Sequence, residues 1–367
     1  MSPKHRTSVR PNRITELFGT EVPVVLGPFG GVSSVELTAA VSDGGGLGSY
    51  GLYGYGPEAI LNTAAQLRDA TARPFALNLW IPDGSETTPL PQEDFDRYVG
   101  ALRPYFEELE LPLPEMPESY LPDYGEQVEA TLAAAPAVVS FVFGVPAPEL
   151  VEEAHRRGIV VVGTATTVAE AVALEAGGVD AVVASGMESG GHRVSFLKPA
   201  EESLVGTFAL VPQVADAVGI PVIAAGGIAD RRGYAAAMAL GAEAVQVGSA
   251  FLATRESAAV PAYRAILRSP AARETVLTRA LSGRLARGIP NRITAELADP
   301  TRTAPFPVQN WLTGRFRPQA AAQENTGLMS LWAGQAAPLI RHESAADLMA
   351  ELLAVDPSPD SPAPNPR

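Results

Sequence analysis

Cysteine is absent from the 367 residues, histidine occurs only four times, and acidic groups outnumber basic ones to a formal net charge of −14. Without thiols the chain has no disulfide framework, no cysteine-held zinc or iron–sulfur cluster, and no thiolate nucleophile. The negative charge removes the basic surface on which nonspecific attachment to nucleic acid or anionic membrane relies, and it repels acidic carrier proteins. No apolar run is long enough to span a bilayer, and the basic stretch 1–13 has no apolar core of a signal sequence. The expectation is a cytoplasmic protein with neither nucleic acid nor membrane as partner. No His-x-x-x-His pair and no aspartate-rich loop occurs, so no metal is expected either.

What is present is an alternation of short apolar, β-branched runs with amphipathic stretches, in a chain whose 46% hydrophobic content supports a large core. Strands are expected at 22–26, 47–50, 75–80, 138–143, 159–163, 181–185, 222–225 and 244–247. Helices are expected near 34–42, 57–69, 125–134, 148–157, 168–176, 205–217 and 229–240. Eight strands with helical crossovers predict an α/β fold, a (β/α)8 TIM barrel over 1–256. Two segments fall outside the repeat. Residues 81–124, rich in proline and acidic groups with one helix at 95–108, leave the third strand on the active-site side as a candidate lid. Residues 257–355 read as an α-helical appendage over the barrel mouth, without clear strands and with helices at 262–268, 271–287 and 345–354. The proline-rich end, 356–367, is expected to be disordered.

The most informative stretch is Pro221-Val-Ile-Ala-Ala-Gly-Gly-Ile-Ala-Asp230 with Ala244-Val-Gln-Val-Gly-Ser-Ala250. Both read as buried strands ending in glycine, the seventh and eighth of the barrel, where a phosphate site usually lies. Gly226, Gly227 and Gly248 have no Cβ to keep an anion from the backbone, and Ser249 adds a hydroxyl. A phosphate-bearing cofactor follows. Gly46-Leu-Gly-Ser-Tyr-Gly51 matches a dinucleotide fingerprint but follows a helix and enters a strand, the reverse of what a Rossmann site needs. Leu26-Gly-Pro-Phe-Gly-Gly31 follows the first strand, ahead of the helix-capping Ser33 and Ser34; it is either a bare loop suited to a flat ring or an ordinary turn. Asn78, inside a buried strand, needs a partner that a flavin edge or a neighbouring strand can supply, and Gln246 raises the same question. Ser185-Gly-Met-Glu-Ser-Gly-Gly-His192-Arg193 follows the sixth strand and places His192 on a catalytic-face loop as a candidate base. His155, beside Arg156 and Arg157 on a helix, reads as a solvated surface position.

Together these motifs, with Leu37-Thr-Ala-Ala-Val-Ser-Asp-Gly-Gly-Gly-Leu-Gly48, Gly248-Ser-Ala-Phe-Leu252, Pro307-Val-Gln-Asn and Trp332-Ala-Gly-Gln335, resemble the nitronate monooxygenase family, formerly 2-nitropropane dioxygenases, in its class I-type members. The chain departs from the family's pattern at Ser185-Gly186, Val194 and Asp230-Arg-Arg232. The resemblance implies an FMN-dependent TIM-barrel enzyme that oxidises alkyl nitronates with dioxygen to a carbonyl compound and nitrite. It implies His192 facing substrate, and Gly226, Gly227, Gly248 and Ser249 at the FMN phosphate with Gly190 and Gly191 close by. Pro28, Phe29, Gly30, Asn78, Ser185 and Gln246 would line the rest of the cofactor, and Arg231 is placed to help neutralise it. The alternatives are an FMN- and NAD(P)H-dependent enoyl-thioester reductase and a noncatalytic barrel that binds a phosphate ligand. Homo-oligomerisation is left open by all three.

Overall fold

The computed structural model describes residues 12–84, 86 and 90–354; His5 and the segment 356–367 lie outside the described residues. Eight strands form one parallel sheet: β1 (Val24–Leu26), β2 (Gly48–Gly51), β3 (Phe75–Trp80), β4 (Val138–Val142), β5 (Val160–Ala165), β6 (Ala181–Ser185), β8 (Val222–Ala225) and β9 (Ala244–Val247). Their order is β1-β9-β8-β6-β5-β4-β3-β2. A bridge between Val25 and Leu47 joins the two ends, with Leu26 N donating to Leu47 O at 2.9 Å and Leu47 N to Val24 O at 2.9 Å. The ring is therefore the expected TIM barrel. The strands are buried on both sides, as their continuous Val, Ile and Ala runs require, because helices cover the outside and side chains fill the inside.

The two ends of the barrel differ. Val25, Leu47, Ala76, Val138, Val162, Ile223 and Ala244, near the starts of their strands, pack into one cluster with Ile14 and Phe18 of the helix Arg13–Phe18. That helix plugs the floor, held by Asn12 capping Thr15 N at 3.0 Å. At the other end the strands finish in polar or glycine-rich loops, and the chain builds a second core there. The helix Gln92–Glu108 contributes Phe95, Leu102 and Phe106, which share one cluster with Leu252, Tyr263, Ile293, Leu312 and Phe316 from beyond the barrel. The insertion and the C-terminal segment thus fold onto each other.

The helix expected at 271–287 does not form. The chain makes a short 3-10 turn, Pro270–Arg273, and then two strands, β10 (Val276–Thr278) and β11 (Ala286–Gly288), paired antiparallel. β11 in turn pairs with the two-residue strand β7 (Gly191–His192). Thr275, Val276 and Thr278 favour a strand through their branched Cβ atoms. Gly283, at φ +82°, turns the chain where a Cβ would lie 2.4 Å from Phe306 N. A pairing partner more than ninety residues away in sequence overrode the alanine-rich helical pattern. His192 accordingly sits in a short ladder rather than a loop. His155 is an exposed helix residue whose Nε2 lies 2.9 Å from Asp180 Oδ2. Among the described residues no helix is long and apolar enough to cross a membrane.

One buried carboxylate ties the loop that follows His192 to the barrel. Glu170, fully buried in the first turn of the helix Val168–Ala176, accepts through Oε2 from Thr166 N (2.7 Å), Thr166 Oγ1 (2.7 Å) and Thr167 N (3.1 Å). Its Oε1 accepts from Phe196 N (2.7 Å) and Leu197 N (3.2 Å). Truncation strands several donors at about 1–3 kcal/mol each when they stay buried. Glu170→Ala is therefore expected to lower unfolding stability by roughly 3–5 kcal/mol, read as an earlier urea midpoint with an unchanged slope; a midpoint equal to the wild type would contradict this role.

Candidate active site

A cavity of about 560 Å³ opens at the C-terminal ends of the barrel strands. That is within the range of small-molecule and cofactor sites, roughly 300–1,000 Å³. His192 and all twelve residues expected to hold a cofactor line it: Pro28, Phe29, Gly30, Asn78, Ser185, Gly190, Gly191, Gly226, Gly227, Gln246, Gly248 and Ser249. Arg231 does not; its neighbour Arg232 pairs with Asp230, the cap of the helix Arg231–Ala239.

The glycine end of the cavity leaves backbone uncovered by side chains. Gly226 and Gly227 follow β8 with φ of +104° and +73°, a backbone path that a side chain would strain. A Cβ built on Gly227 meets nothing nearer than Glu188 at 3.8 Å, and one on Gly248 nothing nearer than Phe29 at 3.8 Å. At both positions a Cβ would occupy space that the cavity keeps open. Ser249 Oγ accepts from Gly334 N at 2.8 Å, which fastens this floor to the C-terminal segment. Gly190 permits the same closeness, since a Cβ there would come within 2.5 Å of Gly334 N. Glu188 lines this end too, but its carboxylate is engaged by Thr207 N (3.0 and 2.9 Å) and Thr207 Oγ1 (2.9 Å).

Above the glycines the wall is polar along the barrel rim. In the sheet register Asn78 lies beside Ser140, and Ser185, Ala225 and Gln246 form a row. Asn78 Nδ2 donates to Ser140 O at 3.1 Å and Ser140 Oγ at 2.9 Å, so the neighbouring strand supplies its partner while the residue still borders the cavity. Ser185 Oγ lies 3.1 Å from Ser189 Oγ. Behind this loop the buried Arg193 donates to Gly186 O (2.7 Å) and Ser185 O (3.0 Å), and Arg287 donates to Met187 O (2.9 Å). The loop Ser33 helps to shape is likewise tied down: its hydroxyl donates to Phe29 O at 2.9 Å and accepts from Gly51 N at 3.1 Å. Ser34 is the cap of the helix Val35–Asp43.

His192 is enclosed by rings. Trp80 lies edge-on at 5.0 Å, Trp332 at 5.5 Å and Phe143 at 6.4 Å between centroids. Its Nε2 is 2.8 Å from the hydroxyl of Ser282, a fully buried residue of the turn before β11. Burial, followed by the charges of Arg284 and Arg317, lowers its pKa to about 3. The imidazole is neutral throughout the neutral range. Arg284 is sandwiched between Phe143 and Phe306, 4.1 Å from each ring centre, and pairs with Glu86 at 2.6 Å. Phe143 holds this position at φ +71°, a strained conformation for a bulky residue beside a functional group. Arg317 lines the cavity, where burial depresses its pKa to about 10, still leaving it charged at neutral pH. It donates to Ser330 Oγ (2.9 Å), Asn310 Oδ1 (2.9 Å) and Asn310 O (3.2 Å). Asn310 Nδ2 donates to Tyr53 Oη at 2.8 Å.

Tyr53, Trp80, Ser282, Arg284, Asn310 and Arg317 were not anticipated as site residues. Trp80 had a readable signal, because it stands two positions after Asn78 and so faces the same side of β3. Asn310 ends the Pro307-Val-Gln-Asn motif that carries part of the family resemblance, although no site role was drawn from it; Ser282, Arg284 and Arg317 had no signal, since no local pattern shows that a segment so distant in sequence folds back over the barrel.

Three comparisons agree with this geometry. Residues 11–354 match the family model described as nitronate monooxygenase. The chain is 36% identical over 344 residues, 93% of its length and 96% of the relative's, to a probable nitronate monooxygenase of Staphylococcus aureus strain Newman. Its fold superposes with a TM-score of 0.82 and 36% identity on nitroalkane oxidase from Streptomyces ansochromogenes, covering 92% of this chain and 96% of that one. It also superposes on FabK from Thermotoga maritima, with a TM-score of 0.72, 29% identity, and coverage of 94% and 96%. The chain belongs to the nitronate monooxygenase family and is an oxidoreductase.

Proposed function

We propose that this enzyme oxidises alkyl nitronates with bound FMN and dioxygen, releasing a carbonyl compound and nitrite. The observation that carries the reading is the neutral His192 set beside the charged Arg317 in a ring-walled cavity. Such a site attracts an anion and offers no strong base. A nitronate already carries its negative charge and needs no proton removed from carbon, whereas a neutral nitroalkane, the compound class named for the Streptomyces relative, does. The preferred substrate is therefore the preformed anion, with nitroalkanes as slower alternatives.

The residues fit FMN. Gly226, Gly227, Gly248 and Ser249 would hold the phosphate, Pro28 and Phe29 would border the ring system, and the amides of Asn78 and Gln246 would meet its polar edge. Bound there, FMN would accept electrons from the substrate and pass them to dioxygen. The protein's own work is to position and to exclude water. Ser282 fixes the orientation of the His192 ring through Nε2, so that Nδ1, which has no hydrogen-bond partner among the described residues, is the nitrogen left for a ligand. Trp80, Phe143 and Trp332 shield it from water. Arg317, steadied by Asn310 and Ser330, supplies the positive charge that holds the nitronate oxygens in the cavity.

Two outcomes follow. Because His192 takes up a proton only near pH 3, its neutral form persists over the whole neutral range, and kcat/KM for a preformed nitronate is expected to be flat between about pH 6 and 8. An inflection near pH 6.5 in that profile would show an ordinary histidine and sink the electrostatic argument. Arg317→Met is expected to raise KM for a nitronate about 10- to 100-fold, the worth of a charge-assisted hydrogen bond, while altering KM for the neutral nitroalkane far less. Equal increases for both substrates would mean that the arginine only supports the wall.

A further inference from the structure

A second, smaller hollow of about 50 Å³ lies behind the active-site wall. It is formed where the loop after β2, the end of β3 and the return of the insertion meet, and its lining is largely Leu52, Leu79, Ile81, Pro82, Leu121 and Pro122. Of the polar side chains at its edge, Gln127 Nε2 donates to Tyr55 O at 2.8 Å, Glu86 pairs with Arg284 at 2.6 Å and Tyr53 Oη accepts from Asn310 at 2.8 Å, while Tyr124 adds a further ring to the lining. Tyr53 and Trp80 line both this hollow and the main cavity, so the partition between the two is a single layer of rings. Tyr53 packs at 4.5 Å from Trp80 and 6.0 Å from Phe306, and Trp80 lies 5.9 Å from Phe306. On its far side Trp80 touches the ring of His192.

Size and polarity select the occupant. A water molecule takes about 30 Å³ of liquid volume and needs polar partners to settle, whereas apolar cavities stay dry and accept apolar guests. Room for one or two small molecules, walled mainly by aliphatic side chains and rings with the Glu86 carboxylate at the edge, disfavours a nitronate with its negative charge and suits a diatomic gas. Gly54 and Pro82 at the hollow's border are exposed, so it extends from the surface to the ring partition. We propose that this hollow is a dioxygen site, through which the gas reaches the active cavity past Tyr53 and Trp80 while substrate occupies the main opening. No bond changes there; the hollow concentrates and delivers the oxidant. The inference rests on the proposed reading in one respect, that dioxygen is consumed.

The test separates the two. Crystals pressurised with xenon are expected to show the atom in the hollow between Leu121 and Trp80, independently of any turnover. The flavin-loaded enzyme, reduced chemically with dithionite and mixed with dioxygen, then reports gas access without any nitronate. Leu121→Trp, which fills the hollow from a half-buried loop position, is expected to slow this reoxidation about fivefold or more and to leave kcat/KM for the nitronate unchanged, while Leu121→Ala reoxidises at least as fast as the wild type. Reoxidation in Leu121→Trp at the wild-type rate, an ordered water in place of xenon, or a loss confined to the nitronate would each overturn the assignment. Failure of a nitronate to reduce the flavin would instead count against the proposed function and leave the xenon and reoxidation results standing.

Discussion

His192 is held where the barrel and the C-terminal segment meet, by backbone pairing to Ala286 on one side and the Ser282 hydroxyl on the other. The rest of the site depends on that joint. The barrel alone would present a glycine-floored basin open to water. With β11 laddered to β7 and Gly334 bonded to Ser249, the segment from 282 to 336 becomes a wall that brings Trp332, Asn310 and Arg317 against the barrel rim. The insertion helix Gln92–Glu108 stiffens the wall from behind by sharing its core. Phe143, in a strained backbone conformation at φ +71°, carries the Arg284 guanidinium on its ring.

Enclosure also sets the chemistry. An imidazole in water would titrate near neutrality; burial and two nearby arginines keep this one neutral. Of these two arginines only Arg317 lines the cavity, a local positive charge in a chain that as a whole carries a net charge of −14. The net charge of the chain and the single charge of Arg317 act over different distances. The first governs solubility and partners in bulk solvent, where salt screens it; the second acts within a few ångströms in a low-dielectric pocket.

How far the sequence could be read follows from how local each feature is. The eight barrel strands and their glycine ends were legible because each is a short run whose composition alone argues for burial, and the thirteen expected residues converge on one cavity. The helix expected at 271–287 failed because alanine and arginine spacing outweighed the β-branched pair at Val276 and Thr278, and because the decisive partner, Gly191–His192, is remote. Arg231 was placed at the phosphate by proximity in sequence; it opens the helix that Asp230 caps and is not among the residues lining the cavity. The arginines that do shape the site, Arg284 and Arg317, carry no motif. Their role exists only after the chain has closed over the barrel.

In the proposed function electrons enter this site from a nitronate and not from a nicotinamide. The direct measurement is the absorbance of the flavin-loaded protein under anaerobic conditions, first with an alkyl nitronate and then, in a separate sample, with NADH or NADPH. The nitronate is expected to bleach the flavin within the turnover time, the nicotinamides to leave the spectrum unchanged, and air to restore it as nitrite accumulates. Rapid bleaching by NADH or NADPH with no response to nitronate would contradict the proposed function.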